Sequence, residues 1–242
     1  MLQVIGISAV YYVVTLLVLF LIGKKRMTRE KNAMFVNLAV FANVGFIGFP
    51  LLGEMLGNEG TLYTVAYNMA YQVFFFTIGM YLLKNNNEKF SLAGIFKNSI
   101  LYFSVGSIVL YFSQLRFPEV IQSAVSSIGS MMIPLSMIII GYEMAIMKFN
   151  RLYREKLAYL VSGFRLLLAP FIMLAVVKIL DVPHDVAIAA VALTALPSGS
   201  LTVIAAEDYG MDTSFAACSV AQSTILMIIT LPLILMTAEM IL

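Results

Sequence analysis

Two hydrophobic stretches of this chain are interrupted by glycine and proline where a membrane-spanning helix should be continuous. The first covers residues 41–57 and reads FANVGFIGFPLLGEMLG, and the second covers residues 194–203 and reads TALPSGSLTV. At membrane depth, non-helical backbone is tolerated only where it is buried in protein or lines a water-filled cavity. Paired interruptions in two halves of a chain are typical of the binding sites of secondary transporters. The sequence therefore predicts two broken helices that cross near the bilayer midplane.

The composition is that of a polytopic membrane protein. Of 242 residues, 61% are hydrophobic and 12% are charged, and the mean hydropathy is +0.95. A net charge of +2 does not indicate a nucleic-acid partner. One cysteine, Cys218, excludes an internal disulfide, and one histidine, His184, lies in a short polar loop with too few ligands for a metal. We expect no metal site and no cofactor, with the coupling ion open between proton and sodium.

Eight apolar segments are long enough to cross roughly 30 Å of hydrocarbon as helices. The expected fold class is therefore an all-α polytopic membrane protein with eight transmembrane helices. The segments, A to H, cover residues 2–22, 33–56, 61–83, 98–112, 120–144, 157–180, 186–206 and 214–242.

Basic residues concentrate in three alternate loops, and this distribution predicts the orientation of the chain. Twelve of the fifteen Lys and Arg residues lie between segments A and B, C and D, or E and F. Because short cytoplasmic loops carry the excess of Lys and Arg, both termini are expected outside. The units A–B–C and F–G–H then have opposite orientations, which is the pattern of an inverted repeat with one broken helix in each unit.

The order of several motifs resembles the auxin efflux carrier family, within the larger group that includes the bile acid sodium symporters. The motifs are FANVGFIGFPLLGEMLGNEG, YNMAYQVFFFTIG, FRLLLAP, ALPSG, AAEDYGMD and QSTILMIITLP. The resemblance implies ten helices in two inverted five-helix repeats, with proline-bearing crossovers that frame the substrate site. Those crossovers fall here at residues 43–50 and 197–200. The chain begins at what resembles the family's third helix, so two scaffold helices are expected to be missing.

The resemblance also divides the chain into three parts and implies a function. Residues 1–84 and 157–242 are expected to form the two halves of a transport domain, with three helices each, and residues 98–146 a partial scaffold of two helices. The implied protein is not an enzyme but a permease for small organic anions such as dicarboxylates, working by alternating access in a bacterial-type plasma membrane. A homodimer is a further expectation. The alternative is a non-transporting or truncated membrane subunit whose partner supplies the missing scaffold helices.

The first crossover offers Asn43 beside Gly45, Gly48 and Pro50. An asparagine amide both donates and accepts hydrogen bonds, which suits a carboxylate or the freed carbonyls of a broken helix. Its alternative role is to join packed membrane helices. The glycines are expected to let backbones approach closely, and Pro50 to remove a hydrogen bond from the helix. A simple proline kink without a ligand is the competing interpretation.

The second crossover offers Pro197, Ser198, Gly199 and Ser200. Hydroxyl groups and the N-termini of half-helices together present donors and a positive dipole end to an anion. The alternative for each serine is a hydrogen bond back to a carbonyl of its own helix.

Three further polar residues are candidates for the substrate site. Arg165 lies well inside segment F, where a charge indicates function by default, although a long side chain can instead reach the membrane surface. Asn68 shares a helix face with Gln72 on segment C, and Gln222 belongs to a similar polar face on segment H. Packing between helices is the alternative for both faces. We expect replacement of Asn43 or Ser198 by alanine to weaken anion binding more than replacement of Asn68.

Overall fold

A computed structural model describes residues 1–24, 26–84, 99–113, 115, 117–145, 155–211 and 213–242. These residues are almost all helical, and the described part of the chain contains no β-strand, only one isolated two-residue bridge. Three five-residue π-helical turns, Val44–Gly48, Phe75–Gly79 and Phe164–Leu168, directly precede α3, α4 and α9. The helices are α1 (Leu2–Lys24), α2 (Arg29–Val40), α3 (Phe49–Phe74), α4 (Met80–Leu83), α5 (Ser99–Ser113), α6 (Glu119–Ser130), α7 (Met132–Ala145), α8 (Lys156–Gly163), α9 (Ala169–Ile179), α10 (His184–Thr194), α11 (Leu201–Asp208) and α12 (Ser214–Ile241).

The described helices are those expected of an all-α membrane protein. Four stretches are long and apolar enough to cross a bilayer, and they coincide with segments A, E, F and H: Leu2–Lys24, Glu119–Ile139, Lys156–Ile179 and Ser214–Ile241. Segments B and G are each divided between two helices, since α2 ends before α3 begins and α10 ends before α11 begins. The count of eight spans, the inverted repeat and the orientation stay predictions. Most of the basic loops after segments C and E lie outside the described residues.

The boundary between segments B and C is a kink inside α3. Gly57 has φ 60° and ψ −137°, a conformation open mainly to glycine. A Cβ atom on Gly60 would lie only 2.0 Å from the carbonyl oxygen of Leu52, so the chain also needs a glycine there to pass close to its own backbone. The predicted separation of the two segments at residues 57–60 is therefore confirmed.

Two prolines inside helical segments are accommodated by π turns. Pro50 lies in the first turn of α3, and Pro170 lies in the first turn of α9. In each case a π turn ends two residues before the proline, closed by a hydrogen bond from Phe49 N to Val44 O or from Ala169 N to Phe164 O. A proline cannot donate, and its ring clashes with the carbonyl four residues earlier. The wider π turn makes room for the ring, so the backbone stays helical through Pro50 and the expected break does not lie at this proline.

Helix α10 lies at the centre of the packed core. Every residue from Val186 to Thr194 is buried, and the helix contacts α1, α3, α9 and α12. Its sequence, HDVAIAAVALT, is rich in alanine, and small side chains let membrane helices pack closely. His184 begins this helix and was expected in a loop. In contrast, α6 has no buried residue.

Candidate functional site

The two broken helices cross at their non-helical segments. Residues 41–43 follow α2, and residues 195–200 follow α10. Asn43 N donates to Pro197 O and Gly199 N donates to Phe41 O, both at 2.9 Å, around an antiparallel bridge between Ala42 and Ser198. The predicted crossing of two broken helices is therefore present. The first break lies at residues 41–43 and not at residues 43–50, because Gly45, Gly48 and Pro50 have already entered helical backbone.

One glycine allows the two backbones of this crossing to approach closely. A Cβ atom on Gly199 would lie 3.0 Å from the carbonyl oxygen of Ala42 and 3.2 Å from that of Phe41. Gly48 instead faces α10, with its added Cβ 3.0 Å from a methyl group of Leu193. Gly45 faces open space, since no atom lies within 4 Å of an added Cβ. The close approach of two backbones thus depends on Gly199.

Hydrogen bonds of Ser198 link the crossing to α2 and α12. Its hydroxyl donates to Leu38 O in α2 at 2.8 Å, and its backbone N–H donates to Ser223 Oγ in α12 at 3.1 Å. Ser223 Oγ in turn donates to Ser219 O at 2.7 Å. All three serines are fully buried. The hydroxyl of Ser198 therefore bonds across helices rather than back to its own.

A cavity of about 270 Å³ lies beside the crossing. Its polar wall is formed by Asn43, Asn68, Gln72 and Ser200. None of the described residues that line it is charged. The remaining lining residues come from both crossovers and from α3, α7 and α11: Ala42, Gly45, Phe46, Phe49, Tyr71, Met132, Gly199, Leu201 and Ile204.

The N-termini of two half-helices begin at the wall of this cavity. One is the π turn that leads into α3, and the other is α11. Asn43 caps the first, because its Oδ1 accepts from Phe46 N at 3.3 Å, and its Nδ2 reaches Ser200 Oγ of the second at 3.5 Å. Helix N-termini carry a partial positive charge and unpaired N–H groups. The two ends together favour an anion in the cavity.

Asn68 supplies the most available polar side chain of the cavity wall. It is 5% exposed, and within the described part of the chain its amide makes no hydrogen bond. The donors and the acceptor of this amide can hydrogen-bond to a ligand or to water in the cavity. Gln72 lies four residues further along α3 on the same wall, as the helical spacing predicts. This arrangement favours Asn68 over Ser198 as a ligand contact, the reverse of the order expected from sequence.

Arg165 lies on a different side of the crossing and is fully buried. Its Nε donates to Leu196 O at 2.9 Å, and its Nη1 donates to Val40 O at 2.9 Å and to Tyr11 OH at 2.8 Å. Nη2 reaches Leu193 O at 3.4 Å. Burial contradicts the alternative that Arg165 extends to the membrane surface. The residue does not line the cavity, so direct contact with a substrate stays a prediction that this geometry does not favour.

The structure thus brings together some of the predicted site residues and separates others. Gln222 pairs with Ser162 between α12 and α8, where its Oε1 accepts at 3.2 Å, and it does not line the cavity. Five of the predicted residues line the cavity, namely Asn43, Gly45, Asn68, Gly199 and Ser200, and six lie in the packing around it, namely Gly48, Pro50, Arg165, Pro197, Ser198 and Gln222. Tyr71 and Met132 were not anticipated, and no pattern in the sequence distinguishes them from ordinary core or lipid-facing residues.

Comparison with known proteins indicates a transporter. The family described as "Membrane transport protein" matches residues 1–103 and 89–235. A protein of Methanothermobacter thermautotrophicus, named an uncharacterized transporter, is 25% identical over 200 residues. The aligned part is 81% of this chain and 64% of that relative, so the chain spans somewhat less than two thirds of the relative's length.

Proposed function

The chain belongs to the membrane transport protein family, and from this premise we propose that it is a secondary transporter for small organic anions, such as dicarboxylates, that works by alternating access. The family and the apolar helices support an integral membrane protein that acts as a transporter and not as an enzyme. The observation that carries the proposal is a largely apolar, uncharged cavity with four polar side chains in its wall, beside the N-termini of two half-helices.

The size and lining of the cavity support a small anionic substrate. Pockets for drug-sized ligands span about 300–1,000 Å³, and a volume of about 270 Å³ suits a smaller metabolite. Amides at Asn68 and Gln72 and the hydroxyl of Ser200 offer hydrogen bonds, and the two helix N-termini offer positive partial charge. A carboxylate would use both kinds of group.

The position of the cavity supports alternating access. The lining includes Met132 from α7, which belongs to the expected scaffold, and residues of the crossing itself. Movement of the crossing relative to α7 would change which end of the cavity is open, as in transporters whose repeats rock around a fixed site. The antiparallel pairing of Ala42 with Ser198 supports an inverted relation between the two units.

Uptake by reconstituted vesicles tests this function. The purified chain in proteoliposomes is given a panel of labelled organic anions, including succinate and malate, with and without imposed proton or sodium gradients. We expect saturable uptake of at least one anion. Asn68→Leu, which removes the amide and keeps the bulk, should reduce kcat/KM at least about tenfold, because hydrogen bonds to a charged group contribute about 1.5–3 kcal/mol.

Gln222→Ala is the matched control for this experiment. Its amide is buried like that of Asn68 but pairs with Ser162 outside the cavity. It should lower thermal stability while leaving the KM of the folded protein unchanged. Absence of uptake for every anion by folded protein, or equal kinetics for Asn68→Leu and the original chain, would contradict the proposed function.

A second candidate, a membrane subunit that acts with a partner, is favoured by the surface of α6. This helix has no buried residue, and its exposed serines are Ser123, Ser126, Ser127 and Ser130. Polar and small residues usually mark helix contacts in membranes rather than lipid-facing surfaces. A second copy of the chain would give a homodimer. The mass of the complex in detergent, measured together with uptake, tests this candidate, and a monomer that transports would contradict it.

A further inference from the structure

Arg165 binds the C-terminal ends of both helices that precede the crossing. Val40 is the last residue of α2, and Leu193 and Leu196 flank the end of α10. The carbonyl oxygens of all three accept from the guanidinium. The last carbonyls of a helix have no partner within the helix. Arg165 therefore satisfies groups that each break leaves free, and no carboxylate in the described chain forms an ion pair with it.

Four helix ends meet at the crossing, two with a negative partial charge and two with a positive one. Each end carries roughly half an elementary charge, negative at a C-terminus and positive at an N-terminus. The ends of α2 and α10 together contribute about −1, and the beginnings of the first π turn and of α11 together contribute about +1. The breaks are short, at residues 41–43 and 195–200, so these opposite charges lie close together. Without a further charge the four ends would nearly cancel.

We propose that Arg165 is a positioning residue that neutralises the C-terminal ends of α2 and α10, so that the positive N-terminal ends make the cavity selective for anions. It does this without touching the substrate. The charge that selects the anion is then held outside the cavity, apart from the amides and the hydroxyl that bind the anion. This inference rests on the proposed function of the cavity.

The test compares an anion with its neutral amide. Equilibrium binding of labelled succinate is measured in competition with unlabelled succinate and with succinamide, which has a similar shape and no charge. A unit charge about 10 Å from a carboxylate, in surroundings of effective dielectric constant about 20, changes its binding constant roughly tenfold. Arg165→Gln should therefore lower the preference for succinate over succinamide about tenfold. A purely structural role would weaken both ligands equally, and an unchanged preference would overturn the proposal.

Two further variants keep the proposal testable if Arg165→Gln does not fold. Arg165→Lys keeps the charge but loses the planar fork, so the preference should stay within about twofold of the original even where total affinity falls. Tyr11→Glu keeps the arginine and places a carboxylate beside it, which cancels its charge and should lower the preference as Arg165→Gln does. A preference lost in Arg165→Lys, or retained in Tyr11→Glu, would contradict the proposal.

Tyr11→Phe is the matched control. It removes the hydroxyl that accepts from Nη1 and leaves the charge in place, so the preference should not change. If the original chain binds neither succinate nor succinamide, the proposed function fails. If it binds succinate preferentially and no variant alters the preference, only the role assigned to Arg165 fails.

Discussion

A methyl group at Gly199 should separate the two crossing segments. The added Cβ of Gly199→Ala would lie 3.0 Å from Ala42 O and 3.2 Å from Phe41 O. Relief requires these carbonyls to move by a few tenths of an ångström. They belong to backbone fixed by the hydrogen bonds from Gly199 N to Phe41 O and from Asn43 N to Pro197 O, each 2.9 Å long. The strain therefore falls on the bonds that define the crossing.

The expected cost of Gly199→Ala is about 1–3 kcal/mol, the usual range for overpacking a filled site. Loss of one buried backbone hydrogen bond has a similar cost, about 1–3 kcal/mol. For a chain of this size, each kcal/mol lowers Tm by roughly 2–4 °C. Thermal unfolding in detergent should therefore show a clear decrease in Tm, and hydrogen exchange should accelerate in peptides that contain residues 41–43 and 198–200.

Gly45→Ala is the control for this experiment. Gly45 lies on the other crossing segment, in the π turn that leads into α3. It has no positive φ, and no atom lies within 4 Å of an added Cβ. Its replacement should leave Tm unchanged or slightly higher, because alanine restricts the unfolded chain. Since Gly45 lines the cavity, the same variant should alter transport kinetics. Equal Tm values for the two variants would refute the conclusion that Gly199 permits the crossing.

Two other substitutions test the surroundings of the crossing. Ser223→Ala removes the acceptor of Ser198 N and should cost about 1–3 kcal/mol, whereas Thr224→Ala, which loses only a bond to its own helix, should lower Tm less in the same unfolding assay. Pro50→Ala should change the free energy of unfolding by less than about 1 kcal/mol, and Tm correspondingly little, because proline is tolerated in the first turn of a helix. A large loss of stability relative to the original chain would show that Pro50 does more than follow the π turn.

Much of the fold followed from local properties of the sequence. Hydrophobicity and segment length predict membrane helices because the bilayer imposes both on any spanning chain. Glycine and proline predict where regular helix fails, because their effects act within a few residues. The separation of segments B and C near Gly57 and the two broken segments were therefore found from sequence alone. The exact position of the first break was not found from the sequence, because a π turn accommodates Pro50 and the backbone stays helical there.

The candidate site was predicted less completely, because its hydrogen bonds join residues that are distant in sequence. Arg165 and Val40 are 125 residues apart, Asn43 and Ser200 are 157 apart, and Ser198 and Leu38 are 160 apart. A sequence shows that a polar side chain lies at membrane depth, but its partner depends on how the helices pack.

The sequence by itself determined that this chain lies in a membrane, that two of its helices are broken, and which polar residues lie near the breaks. Only the tertiary structure decided that Ser198 hydrogen-bonds across the crossing while Asn68 lines the cavity. It also decided that the buried guanidinium of Arg165 donates to backbone carbonyls at the helix ends. The physical reason is that helix propensity and hydrophobicity are local, whereas a buried polar group takes its role from whichever partner satisfies it.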